Sequence, residues 1–163
     1  MNYPPAEDYD LWERLSGCYK ITNIPKFLTY YRIHDNQTSK INVLNQKSSV
    51  WNIQERQLKK MHVLPSNEEK QMHQKIGGWK FEASNDFILF ANEWLLKLQK
   101  ANSKTHFYPE PQFTRVLAER WFFICRAAAG LGLNTWSIYW NSPLRKHSIF
   151  YKHVYILAKS LIA

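Results

Sequence analysis

Acidic residues run out long before the chain does: the 44 residues after Glu119 contain no Asp or Glu. Glycine and proline are also scarce, at 5 and 7 of 163 residues. That scarcity argues against a turn-rich all-β fold and favours helices. Cys18 and Cys125 are the two cysteines, too few for a disulfide framework or a cysteine-based zinc site. Lone cysteines fit a reducing cytosol, where they serve as small core residues. No apolar run reaches the roughly 18–20 residues that cross a bilayer. The opening Met1-Asn2-Tyr3-Pro4-Pro5 has no basic-then-apolar leader pattern.

What is present is apolar and basic. Hydrophobic residues make up 45% and aromatics 15%, which excludes a disordered chain. The length allows a sizeable core in one or two domains. A formal charge of +9 suits an anionic partner such as phospholipid, a phosphorylated substrate or nucleic acid. A soluble protein with a merely basic surface has the same balance.

Residues 7–16 read as a helix, with Leu11, Trp12 and Leu15 forming an apolar face and Gly17 as the stop. Glu7 and Asp8 fall in its first turn, where the helix dipole favours negative charge. Residues 18–24 and 27–33 read as two short strands separated by Pro25, the second rich in aromatic and β-branched side chains. Residues 37–62 predict a long, polar, partly exposed helix. Ser66 and Glu69 have capping-box spacing, and Gly77-Gly78 closes the helix that they start. The strongest period is Phe87, Phe90, Ala91, Trp94, Leu95 and Leu98. A further helix follows Pro111 and ends near Gly130–Gly132, and two more occupy 134–141 and 147–162, broken at Pro143. The expected fold is therefore mainly α. A helix–strand–strand piece over 1–40 precedes a bundle of five or six helices over 41–163. Strands so short look like edge pieces of a larger sheet.

Two segments carry chemistry. Ala6-Glu7-Asp8-Tyr9-Asp10-Leu11-Trp12 places adjacent carboxylates at a helix start. Tyr30-Tyr31-Arg32-Ile33-His34-Asp35-Asn36-Gln37-Thr38-Ser39 ends an aromatic segment with a cation, an imidazole and small polar residues. On a strand, Arg32 and His34 would share one face. An imidazole there can ligate a divalent metal, and the N–H groups of a helix starting at Gln37 suit an anion.

Together these segments resemble the C-terminal half of the catalytic domain in family-2 inverting glycosyltransferases of the GT-A type. The resemblance implies that Asp8 is the general base, with Glu7 positioning the acceptor or Asp8 itself. It also implies that Arg32, His34 and Gln37 border the donor diphosphate, His34 completing the site of a Mg or Mn ion in the complete enzyme. The implied partners are a nucleotide-sugar donor and a glycan or lipid-linked acceptor. The implied setting is bacterial polysaccharide biosynthesis for the cell envelope, in the cytoplasm or peripheral on the inner face of the plasma membrane. The chain departs from the family in lacking a separate Asp-x-Asp metal motif and nucleoside-binding strand ends. Asp8-Tyr9-Asp10 has the spacing but lies inside the Glu-Asp motif, and Asp10 reads as structural. The expectation is a C-terminal fragment, inactive alone and holding no metal.

The C-terminal stretch interleaves Arg120, Arg126, Arg145, Lys146, Lys152 and Lys159 with many aromatics. That pattern fits an amphipathic surface on an anionic membrane, and equally a helical core with a basic outer face. No nucleic-acid motif accompanies it, so nucleic acid is not an expected partner. The rival to a transferase is a non-catalytic helical module that docks on a partner or membrane.

Overall fold

A computed structural model describes residues 5–30, 32 and 43–162. Its regular elements are helices. They are α1 (Glu7–Ser16), α2 (Val43–Lys60), α3 (Asn67–Gly77), α4 (Asn85–Thr105), α5 (Gln112–Ala127), α6 (Leu133–Asn141) and α7 (Phe150–Ile162). Short 3-10 turns occupy Ala129–Leu131 and Pro143–His147. The chain divides into two compact units, Met1–Lys59 and Lys60–Ala163.

The expected helix–strand–strand remnant is corrected in the first unit: no strand forms among the described residues. Residues 18–30 follow an irregular path with only local backbone bonds. The N–H groups of Cys18 and Tyr19 donate to Leu15 O, and that of Lys26 donates to Ile24 O. Strand preference is a fit to a pleated, half-buried surface, and without neighbouring strands it has nothing to act on. Ile24, Phe27 and Tyr30 accordingly stand exposed.

α1 forms as expected, but its buried face is not the apolar one. Leu11 and Trp12 are 41% and 55% exposed, whereas Asp10 and Glu13 are buried. The cause lies on α2. Arg56 Nη2 donates to Asp10 Oδ1 at 2.6 Å and also to Glu13 Oε2, while Arg14 Nε donates to Asp10 Oδ2 at 3.0 Å. A guanidinium that reaches two covered carboxylates outweighs a modest apolar stripe in setting how α1 sits on α2.

The second unit is a helical bundle with a continuous core. Its largest fully buried side chains include Trp94, Leu95, Trp121, Ile124, Tyr139, Leu144 and Ile156. The expected capping box closes α3: Ser66 Oγ accepts from Glu69 N–H at 3.2 Å, and Glu69 Oε2 accepts from Ser66 N–H at 2.9 Å. Ser84 caps α4 by accepting from Phe87 N–H at 3.2 Å. Buried Asn102 ties the end of α4 to the next segment, donating to Tyr108 O at 3.1 Å and accepting from Tyr108 N–H at 2.7 Å.

His73 on α3 makes the bundle sensitive to acid. Trp94 Nε1–H donates to His73 Nδ1 at 3.3 Å, and the rings meet edge to face. Burial lowers the imidazole from its usual 6.5 to about 4. Between these values the unfolded chain binds a proton that the folded one refuses, so stability falls as pH drops from 6.5 to about 4. The loss tends towards roughly 3 kcal/mol. Burial lowers His153 as well, which adds in the same direction. Urea unfolding at pH 7, 6 and 5 should show this decline, and His73→Gln should remove the larger share of it. An unchanged slope in the variant would place the acid sensitivity elsewhere.

Candidate functional site

Glu7 and Asp8 lie in the first turn of α1, both exposed. Asp8 Oδ1 accepts from Tyr9 N–H at 2.7 Å, which fixes the carboxylate against the helix start. The neighbouring groups face the other way. Tyr9 is half-buried and its hydroxyl donates to Gln57 Oε1 at 3.2 Å. The hydrogen bond from Arg56 holds the Asp10 carboxyl below its ordinary range. The acidic side chains of α1 thus separate into an exposed pair, Glu7 and Asp8, and a held pair, Asp10 and Glu13. Asp10 read as structural from the sequence, but its partners Glu13 and Arg56 were not singled out there. Asp10 and Arg56 are 46 residues apart, and no local spacing signals their meeting.

Arg32 lies in exposed, irregular backbone and not on a strand, so the expectation that a strand orients it alongside His34 is corrected. His34, Gln37, Thr38 and Ser39 lie outside the described residues. Among the described residues no three His, Cys, Asp or Glu side chains converge as a metal site. Asp8-Tyr9-Asp10 does not suit a divalent ion, because both Asp10 oxygens already accept from guanidiniums.

The basic and aromatic residues near the C-terminus largely satisfy one another. The Arg120 guanidinium lies 3.7 Å from the centre of the Trp79 ring, and that of Arg145 lies 3.9 Å from Trp140. Arg126 sits 5.3 Å from Tyr155, and Lys152 sits 5.0 Å from Phe122. Each such contact is worth about 0.5–1 kcal/mol at an exposed position. Phe122, Phe123, Trp140 and Tyr155 are therefore packing surface for cations of the same unit. An apolar row nevertheless remains outward on α7: Val154, Leu161 and Ile162 are 51%, 63% and 83% exposed. Ile156 and Ser160 form the buried side of that helix. No described helix is long and apolar enough to cross a membrane.

Part of the chain is similar to a protein described as a glycosyltransferase. Forty residues are 45% identical to a Haemophilus influenzae protein described as an uncharacterized glycosyltransferase. The match covers 24% of this chain and 12% of that protein. No family model and no solved structure matches the chain.

Proposed function

We propose that the chain is the acceptor-side part of an inverting glycosyltransferase of family 2 and GT-A type. The 40-residue match to a glycosyltransferase carries this reading. In it, the carboxylate of Asp8 takes the proton from an acceptor hydroxyl as its oxygen attacks the anomeric carbon of the donor sugar. The nucleoside diphosphate leaves from the opposite face, and Arg32, His34 and Gln37 face its charge. Glu7 orients the acceptor. Asp10 takes no part, because Arg14 and Arg56 occupy it. The many exposed apolar side chains between Leu11 and Tyr30 suit a segment that packs against further protein. The acceptor is a glycan or lipid-linked sugar of a bacterial envelope polysaccharide, reached at the cytoplasmic face of the membrane. The test is release of nucleoside diphosphate from uridine or guanosine diphosphate sugars by a protein that carries this segment in a complete catalytic domain. Failure to turn over any donor, with acceptor supplied, would overturn the reading.

A second reading rests on α7: the helical unit docks on an anionic membrane surface. Its outward Val154, Leu161 and Ile162 would enter the headgroup layer, and the exposed Arg126, Lys146 and Lys159, in a stretch with no acid after Glu119, would face the lipid charge. The chain should sediment with phosphatidylglycerol vesicles at 0.1 M salt and be released at 1 M, as the Debye length falls from about 10 Å to about 3 Å. Replacing Val154, Leu161 and Ile162 together by Gln should abolish sedimentation. Equal sedimentation with neutral vesicles, or undiminished binding by the triple variant, would exclude it.

A further inference from the structure

A cleft of 530 Å³ lies on the second unit between residues 61–64 and the last turns of α4. Its size is typical of small-molecule sites, which span about 300–1,000 Å³. Its two walls have different chemistry. On one side, residues 61–64 send alternate side chains inward: Met61 and Val63 are 2% and 3% exposed. His62 and Leu64 are left at the cleft, His62 with φ +58 and Leu64 77% exposed. On the other side, Lys97, Lys100 and Lys104 line the cleft with Ala101 between them. Spacings of three and four residues place these lysines along one helix face.

The charge of this face is largely uncompensated. Lys97 Nζ meets Glu69 Oε1 at 2.6 Å. Lys100 and Lys104 are exposed and meet no carboxylate among the described residues. The sequence has no acid between Glu93 and Glu110. The dipole at the end of α4 favours a cation in the last turn and so accounts for Lys104. It does not account for Lys100 one turn earlier, and Lys97 a turn before that is held by Glu69. Ammonium groups are donors to phosphate oxygens, while Leu64 and Ala101 offer apolar surface beside them.

We propose that this cleft binds a phosphate group carried on a short apolar chain or ring, with Lys100 and Lys104 holding the phosphate, Lys97 and His62 at its margin, and Leu64 covering the apolar part. The site is independent of the proposed sugar transfer, since it uses no residue of the Glu7–Asp8 turn.

Calorimetry on the full chain at low salt tests it with three soluble probes: inorganic phosphate, octyl phosphate, and dihexanoyl phosphatidylglycerol below its micelle concentration. Octyl phosphate should bind at least tenfold more tightly than inorganic phosphate. Lys100→Ala with Lys104→Ala should weaken octyl phosphate at least tenfold. Leu64→Gln should erase the advantage over inorganic phosphate, and Lys80→Ala, an exposed lysine away from the cleft, should change nothing. Competition by dihexanoyl phosphatidylglycerol would support the site and identify a lipid headgroup as the source. Octyl phosphate binding without that competition would support it and identify a free phosphorylated compound. Absence of octyl phosphate binding at millimolar concentration would overturn the proposal, as would equal affinity in the double lysine variant or equal weakening by Lys80→Ala. The exposed positions of the substituted side chains keep folding intact, and circular dichroism of each variant verifies it.

Discussion

Asp8→Asn, placed in a complete enzyme that carries this segment, is expected to lower turnover by about 10²–10⁴-fold, the usual contribution of a general base. Donor affinity should change little. The amide keeps the size of the carboxylate and its hydrogen bond from Tyr9 N–H, yet it cannot take a proton from an acceptor hydroxyl. Asp10→Asn is the necessary comparison. It discharges a covered carboxylate held by Arg14 and Arg56, so it should lower thermal stability and reduce turnover only in proportion to the folded fraction. Steady-state kinetics beside thermal melts separate the two effects. Retention of more than about a third of turnover in Asp8→Asn would remove Asp8 as the base.

The largest structural effect is expected from Trp94→Ala. Trp94 is 1% exposed, donates to His73, and lies beneath the Lys97 ammonium at 5.6 Å. Truncating a buried tryptophan to alanine costs about 3–5 kcal/mol through lost burial and the cavity left behind. Whole domains are stable by only about 5–15 kcal/mol. The helical unit should therefore melt many degrees lower or lose its cooperative transition. Trp12→Ala, at an exposed position, should stay within about 0.5 kcal/mol of the parent. A melting midpoint in Trp94→Ala within about 3 °C of the parent would mean that the core repacks around the loss.

The helices of the second unit were legible because their information is local. The apolar period through Phe87, Phe90, Ala91, Trp94, Leu95 and Leu98 specifies both the helix and its inward face; Phe90 is half-buried and the other five are buried. Ser66 and Glu69 announce a helix start within four residues, and both halves of their capping box form. The N-terminal region was less legible for two physical reasons. Its aromatic segments have strand propensity, which is realised only in company, and no described strand accompanies them. The orientation of α1 is set by Arg56, far along the chain, so Leu11 and Trp12 misled where Asp10 and Glu13 decided. At the candidate site, the sequence indicated the exposed carboxylate pair and the separate, structural part of Asp10. It could not indicate which basic residue would hold Asp10. The cleft lysines escaped notice because their spacing on α4 is also that of an ordinary solvated face, and only the fold brings Leu64 and His62 beside them.

The two thiols have opposite settings, and this makes the chain easy to instrument. Cys18 is exposed, whereas Cys125 is buried in α5 and burial pushes its pKa well above the ordinary value. A maleimide dye or spin label added to the folded protein at neutral pH is directed to Cys18 alone, because the thiolate is the reacting form. The N-terminal unit can thus carry a single reporter just past the C-terminal end of α1 with no engineered cysteine. A second, slower wave of labelling would count the molecules whose helical core has opened.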